Sequence, residues 1–127
     1  MTYFPYFYGI TIARVLDGDT VEAVFDLGFF VSLKVTVRLA GYDAPETFRP
    51  KTEVERLAGI ETKTHLQSLL NMYGEGELFC RSTKIDLYGR STGILYYKSI
   101  SGDYISINDL MAQWIQDVHY TKEELRS

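Results

Sequence analysis

A chain of 127 residues, 46% of them hydrophobic, has enough apolar material for one domain with its own core. Its formal net charge of -4 excludes a global basic field drawing it to nucleic acid, although local charge or a bound cation can reverse the sign at a site. A single cysteine excludes an intramolecular disulfide framework, and Cys80, flanked by Leu78 and Phe79, reads as a small buried hydrophobe.

Residues 1–8, M-T-Y-F-P-Y-F-Y, form an aromatic N-terminal arm interrupted by Pro5. Such an arm could stack bases, but packing on the barrel or on a partner is the weightier reading. A first strand is expected from Gly9 to Leu16, then an Asp17-Gly18 turn, then a strand from Thr20 to Asp26 with Val21, Ala23 and Phe25 on one face. Gly28 marks the next turn. From Phe30 to Leu39 the alternation puts Val31, Leu33, Val35, Val37 and Leu39 on one face. Ser32, Lys34, Thr36 and Arg38 take the other, which places the Arg38 guanidinium in a cleft or in water.

A polar loop from Thr47 to Thr52, with Arg49 and Lys51, leads to a helix predicted from Glu53 to Met72. Its apolar positions are Val54, Leu57, Ala58, Leu66, Leu69 and Leu70. Gly59 weakens its middle, and Gly74 and Gly76 stop it. Strands follow from Glu77 to Lys84 and from Thr92 to Lys98, separated by the Tyr88-Gly89-Arg90 turn. After a turn at Ser101-Gly102-Asp103, Ser106 caps a second helix with Ile107, Leu110, Met111, Trp114, Ile115 and Val118 on its apolar face. Thr121-Lys122-Glu123-Glu124 offers a capping box for a last short turn of helix.

This order predicts an α+β, mainly β, domain spanning 1–127. Its architecture is a five-stranded barrel of the OB type, with a helix between strands 3 and 4 and a C-terminal helix. A generic α+β domain is the alternative. No apolar run approaches a membrane span, and the N-terminus lacks the basic start and apolar run of a secretory signal. The expectation is a cytoplasmic protein with no membrane partner, secretion of a trimmed form being left open.

Asp19 and Asp43 stand at two strand ends that could converge if the barrel closes. Two carboxylates with a backbone carbonyl and water suit a hard divalent cation. Arg38 and Arg90 could hold the growing negative charge of a phosphodiester under attack, and Glu46 could orient or deprotonate water. Each feature alone has an ordinary explanation: aspartates populate turns, surface arginines are solvated, and Y-G-R is a turn. His65 and His119 lack metal-like spacing and are read as bystanders.

Together, D-G-D-T, R-L-A-G-Y-D-A-P-E-T and Y-G-R, in that order, make this chain resemble the staphylococcal nuclease family over nearly its whole length. The resemblance implies an OB-fold nuclease with a calcium site, magnesium being the less favoured ion. The implied activity is hydrolysis of DNA, or of RNA, with low sequence specificity to 3′-phosphate products. It further implies Asp19, Asp43 and the Ala44 carbonyl as metal ligands, Arg38 and Arg90 as phosphate holders, and Glu46 as general base. Tyr88 and Tyr120 stand for nucleotide-contacting tyrosines. Ala44 replaces a threonine of the best-known member, and Leu87 replaces an often basic residue. The chain is also acidic where well-studied members are basic, and it ends soon after the second helix. A non-catalytic nucleic-acid- or protein-binding module is the competing expectation; a third is an assembly component, such as a homo-oligomer, whose aromatic arm and short C-terminus complete a partner's core, which is compatible with hydrolysis.

Overall fold

The computed structural model describes residues 6–47, 50–73, 77–85 and 91–126. Strand β1 (Phe7–Asp17) runs antiparallel to β2 (Thr20–Asp26), and β2 to β3 (Ser32–Leu39). Helix α1 (Glu53–Tyr73) follows, then β4 (Glu77–Ile85), β5 (Ser91–Lys98), the short β6 (Tyr104–Ser106), α2 (Ile107–Asp117) and α3 (Lys122–Arg126). The sheet order is β3-β2-β1-β4-β5-β6, and it closes where β3 meets β5 in parallel, with Val37 opposite Ser91 and Arg38 opposite Thr92. Strands β1 to β5 therefore form the expected five-stranded OB-type barrel, with α1 between strands 3 and 4. Among the described residues no helix is long and apolar enough to cross a membrane.

The core forms where the alternation predicts it in β2: Val21, Ala23 and Phe25 point inward and are buried. Strand β3 behaves differently along its length. Val37 and Leu39 are fully buried, whereas Val31 and Leu33, expected on the same inner face, are 52% and 54% exposed. The reason is topological. Barrel closure pairs only Val37–Leu39 with β5, so the first half of β3 runs on past that pairing, and Val31 and Leu33 stay exposed even though Phe25, opposite Leu33 on β2, is buried.

Helix α1 starts on Thr52, whose hydroxyl accepts the Glu55 N–H at 3.0 Å. Its buried stripe is Glu55, Ala58, Gly59, Thr62, Leu66, Leu69 and Leu70. Val54 and Leu57, expected on that stripe, are instead exposed, because the first half of the helix turns positions 55, 58, 59 and 62 inward, with Gly59 against the Pro45–Glu46 backbone. Gly74 and Gly76, expected to stop the helix, lie outside the described residues, as do residues 1–5 of the aromatic arm. Helix α2 is capped as its sequence predicts: the Ser106 side chain accepts the Asp109 N–H at 3.2 Å. Thr121 caps α3 in the same way, accepting from Glu124 N–H. Cys80 is buried in the barrel, and burial pushes its thiol up to about 12, as expected of a structural cysteine.

Candidate functional site

The site grows from one tight turn. Asp17 pairs with Thr20, so the chain reverses through Gly18 and Asp19 at the end of β1. That turn is pressed onto α1: a Cβ on Gly18 would stand 2.6 Å from the Thr62 methyl and 2.9 Å from Ala44 Cβ, so only glycine fits. Across the hairpin, Thr20 is opposite Arg38. The parity of β3 thus delivers the guanidinium to the rim beside Asp19, half-buried as the alternation requires.

The chain then leaves the sheet at Gly41, whose φ of 93° suits glycine, and folds back over the turn. Tyr42 donates its hydroxyl to the Gly18 carbonyl at 2.8 Å. Ala44 N–H donates to Asp19 Oδ2 at 3.1 Å, and the Thr20 hydroxyl donates to Asp19 Oδ1 at 3.0 Å. Arg38 Nη2 donates to Asp43 Oδ1 and lies 3.8 Å from Asp19 Oδ2. Two carboxylates and one guanidinium, from three separate segments, therefore meet at one end of the barrel.

Burial dominates the electrostatics of this cluster. It raises the pKa of Asp19 from its ordinary value, against the opposing pull of the Ala44 N–H, the Thr20 hydroxyl and Arg38. Tyr42 is pushed well up by burial and then by the Asp19 charge, so its hydroxyl stays a donor.

No protein-family model matches this chain, and no curated protein matches it.

Glu46 lies in the same loop. Its carboxylate is exposed, but the backbone beneath it is clamped on both sides. On one side, Asp17 Oδ1 accepts the Thr47 hydroxyl at 2.9 Å and the Thr47 N–H at 3.3 Å. On the other, the Pro45–Glu46 carbonyls sit so close to α1 that a Cβ on Gly59 would be 2.7 Å from the Glu46 oxygen. Gly59 is thus a docking position for the loop, not the weak point of the helix that its propensity suggests.

Asp19 and Asp43 form an all-oxygen pair of the kind hard cations take. The fit is partial, since among the described residues no group of three or more His, Cys, Asp or Glu converges on a point. It is the Ala44 N–H that the structure directs at Asp19, so that residue already supports the carboxylate through its backbone. A cleft of about 380 Å³ opens beside Asp43, lined by Gly41, Tyr42, Ile115 and Thr121 among others. A larger concavity of about 540 Å³ between β1 and α1 contains no carboxylate and lies apart from these groups.

Tyr120 is not drawn into the cluster. Its hydroxyl donates to Glu61 Oε2 at 2.5 Å, which raises its pKa, and its ring meets Trp114 edge-on at 5.8 Å. Tyr88 and Arg90 lie outside the described residues. His65 stacks on Trp114 at 4.3 Å and His119 contacts Glu124, so both histidines stay clear of the carboxylate pair.

One supporting residue escaped the sequence reading. Asn108 is buried at the start of α2, accepting from Leu95 N–H and donating to the carbonyls of Ala40 and Gly93. It ties β5 to the last residue before the Gly41 turn. Its signal was available, since positions 108, 111 and 115 share one helical stripe and only the first is polar.

Proposed function

We propose that this protein is a metal-dependent phosphodiesterase that hydrolyses DNA, and RNA by the same chemistry, with low sequence preference. The observation that carries this reading is the convergence of Asp19, Asp43 and Arg38 on one rim of the barrel. Binding alone does not call for two carboxylates at a phosphate site. Asp19 and Asp43 would hold a divalent cation, calcium by the family resemblance, and its chemistry would be Lewis-acid polarisation of a phosphate oxygen.

The chain's own residues take the remaining roles. Arg38 offers forked donors to the equatorial phosphate oxygens, whose charge grows as phosphorus is attacked. Arg90 supplies the second guanidinium and Tyr88 a nucleotide contact, both assigned from the Y-G-R motif. Glu46, exposed on a clamped loop, accepts the proton of the attacking water. The Thr47 anchor on Asp17 and the Gly59 contact hold the backbone that carries that side chain. By resemblance, the products end in 3′-phosphate.

The test is hydrolysis of heat-denatured DNA in calcium, in magnesium and in chelator, with Glu46→Gln run beside the wild type. Calcium-dependent cleavage that the variant loses is the expected result. A folded protein that cleaves nothing under either metal is a nucleic-acid- or protein-binding module instead.

A further inference from the structure

The β2–β3 hairpin ends in a run of side chains that the fold does not use. Leu27, Phe29, Phe30, Val31 and Leu33 are all exposed, the two phenylalanines completely. The backbone there is also strained. Gly28, Phe29 and Phe30 have successive φ values of 81°, 53° and 62°. Glycine adopts that region freely, but two phenylalanines in it cost stability. A turn serving the fold alone is best made from Asn, Asp or Gly. Between Asp26 and Lys34 the chain has no charge.

We propose that this tip inserts into the interfacial layer of a lipid bilayer and holds the protein peripherally on a membrane. A bilayer is favoured over a second copy of the chain by area and shape. Two phenylalanine rings offer roughly 150–250 Å² each. The three partly exposed aliphatic residues add less, leaving the tip short of the roughly 800 Å² per partner of a stable interface. It is also a convex point, which a fluid apolar phase accepts without complementary shape.

The turn that carries the tip is closed at its base by its own hydrogen bonds, so fewer of its polar groups depend on water as it enters the interfacial layer. Leu27 N–H donates to the Val31 carbonyl at 2.9 Å, Val31 N–H to the Gly28 carbonyl at 2.8 Å, and Gly28 N–H to the Asp26 carboxylate at 2.9 Å. The apolar-run rule behind the expectation of no membrane partner counts spanning segments and is blind to a hairpin tip.

The same hairpin sets the orientation. Asp26 pairs with Ser32 beside the tip, and Thr20 pairs with Arg38 at the carboxylate cluster, so about 20 Å of strand separates the two ends. An inserted tip leaves the candidate site facing solution. The nearby cations, Arg14 and Lys34, both pair with Glu22, at 3.7 Å and 3.6 Å. Binding is therefore apolar in origin and insensitive to anionic lipid and to salt.

The experiment is flotation of the purified protein with phosphatidylcholine vesicles, with and without phosphatidylglycerol. The wild type is expected to co-float equally with both. Phe29→Asn with Phe30→Asn should lower partition about tenfold or more, with an unfolding midpoint unchanged or raised. In a Phe30→Trp variant, brominated phosphatidylcholine should quench the added tryptophan and spare Trp114. A wild type that stays in the aqueous fraction, a double variant that floats equally, or an unquenched tip tryptophan overturns the proposal. So does a dimer that the double substitution dissolves in the absence of vesicle binding, which would assign the tip to a second copy. No readout involves hydrolysis, so this inference stands or falls separately from the proposed activity.

Discussion

The contact between Gly59 and the Glu46 loop yields a prediction that inverts a general rule. Replacing glycine by alanine inside an exposed helix normally stabilises by about 0.5–1 kcal/mol, because glycine loses more backbone freedom on folding. At Gly59 the new methyl would stand 2.7 Å from the Glu46 carbonyl oxygen, 2.9 Å from its carbon and 3.1 Å from the Pro45 oxygen. All three are backbone atoms, so no side chain can turn away. Restoring ordinary contact near 3.4 Å requires the loop to move by roughly 0.7 Å. Overpacking of this kind costs about 1–3 kcal/mol, so Gly59→Ala should be destabilised by about 1–2 kcal/mol despite its better helix propensity. The displaced segment carries Glu46, and misplacement of a reacting group by about 1 Å can cost on the order of 100-fold. Urea unfolding gives the first number and single-turnover hydrolysis the second. A Gly59→Ala protein that is stabilised and cleaves at the wild-type rate would refute the claim that α1 positions the loop.

Arg38→Lys keeps the charge but loses the fork that reaches two oxygens at once. Its hydrolysis should fall by about two to three orders of magnitude with the unfolding midpoint nearly unchanged, and a near-normal rate would remove Arg38 from the mechanism. Asn108→Ala leaves one N–H and two carbonyls of β5 and Ala40 without their side-chain partner, so unfolding should become easier by about 2–4 kcal/mol. A loss below about 1 kcal/mol would show that water replaces the amide at little cost. Burial lowers the His65 pKa from its usual 6.5, so the folded state favours the neutral ring. The sign follows: stability is fully present above pH 6.5 and declines as pH falls through the lower, folded-state value. Trp114, stacked on that ring and the only tryptophan, should report the protonation as a fluorescence change centred below pH 6.5, absent in His65→Gln.

What the sequence made legible was local. The Thr20–Asp26 strand, the Ser106 cap and the phase of Arg38 on β3 follow from period and turn chemistry acting over a few residues, and all three stand as read. What it hid was set by tertiary contact. Val31 and Leu33 continue a perfect alternation, yet they are exposed because β5 reaches only as far as Val37. Strand β6, at three residues, has no periodicity to detect and exists only through its pairing with β5. Asp17 and Tyr42 lie inside the recognised motifs, but their roles depend on Thr47 and Gly18, 30 and 24 residues away. Gly59 shows the same limit: propensity sees a defect where packing needs an absent side chain.

The acidic net charge and the proposed substrate can be reconciled at the site itself. Asp19, Asp43 and Arg38 sum to one negative charge at the rim, which repels a phosphodiester. A divalent cation on the two carboxylates would turn that local sum to one positive charge. Ionising Asp19 would also become easier, since its raised pKa comes chiefly from burial, which a neighbouring cation would offset. On the proposed reading, a cation held by Asp19 and Asp43 would attract the substrate as well as supply Lewis-acid polarisation. On that reading, the rest of the surface can stay acidic because affinity for nucleic acid would be switched on at one point. A basic track serves the same end by fixed charge, and this chain, with 13 basic residues against 17 acidic, does not carry one in its overall balance.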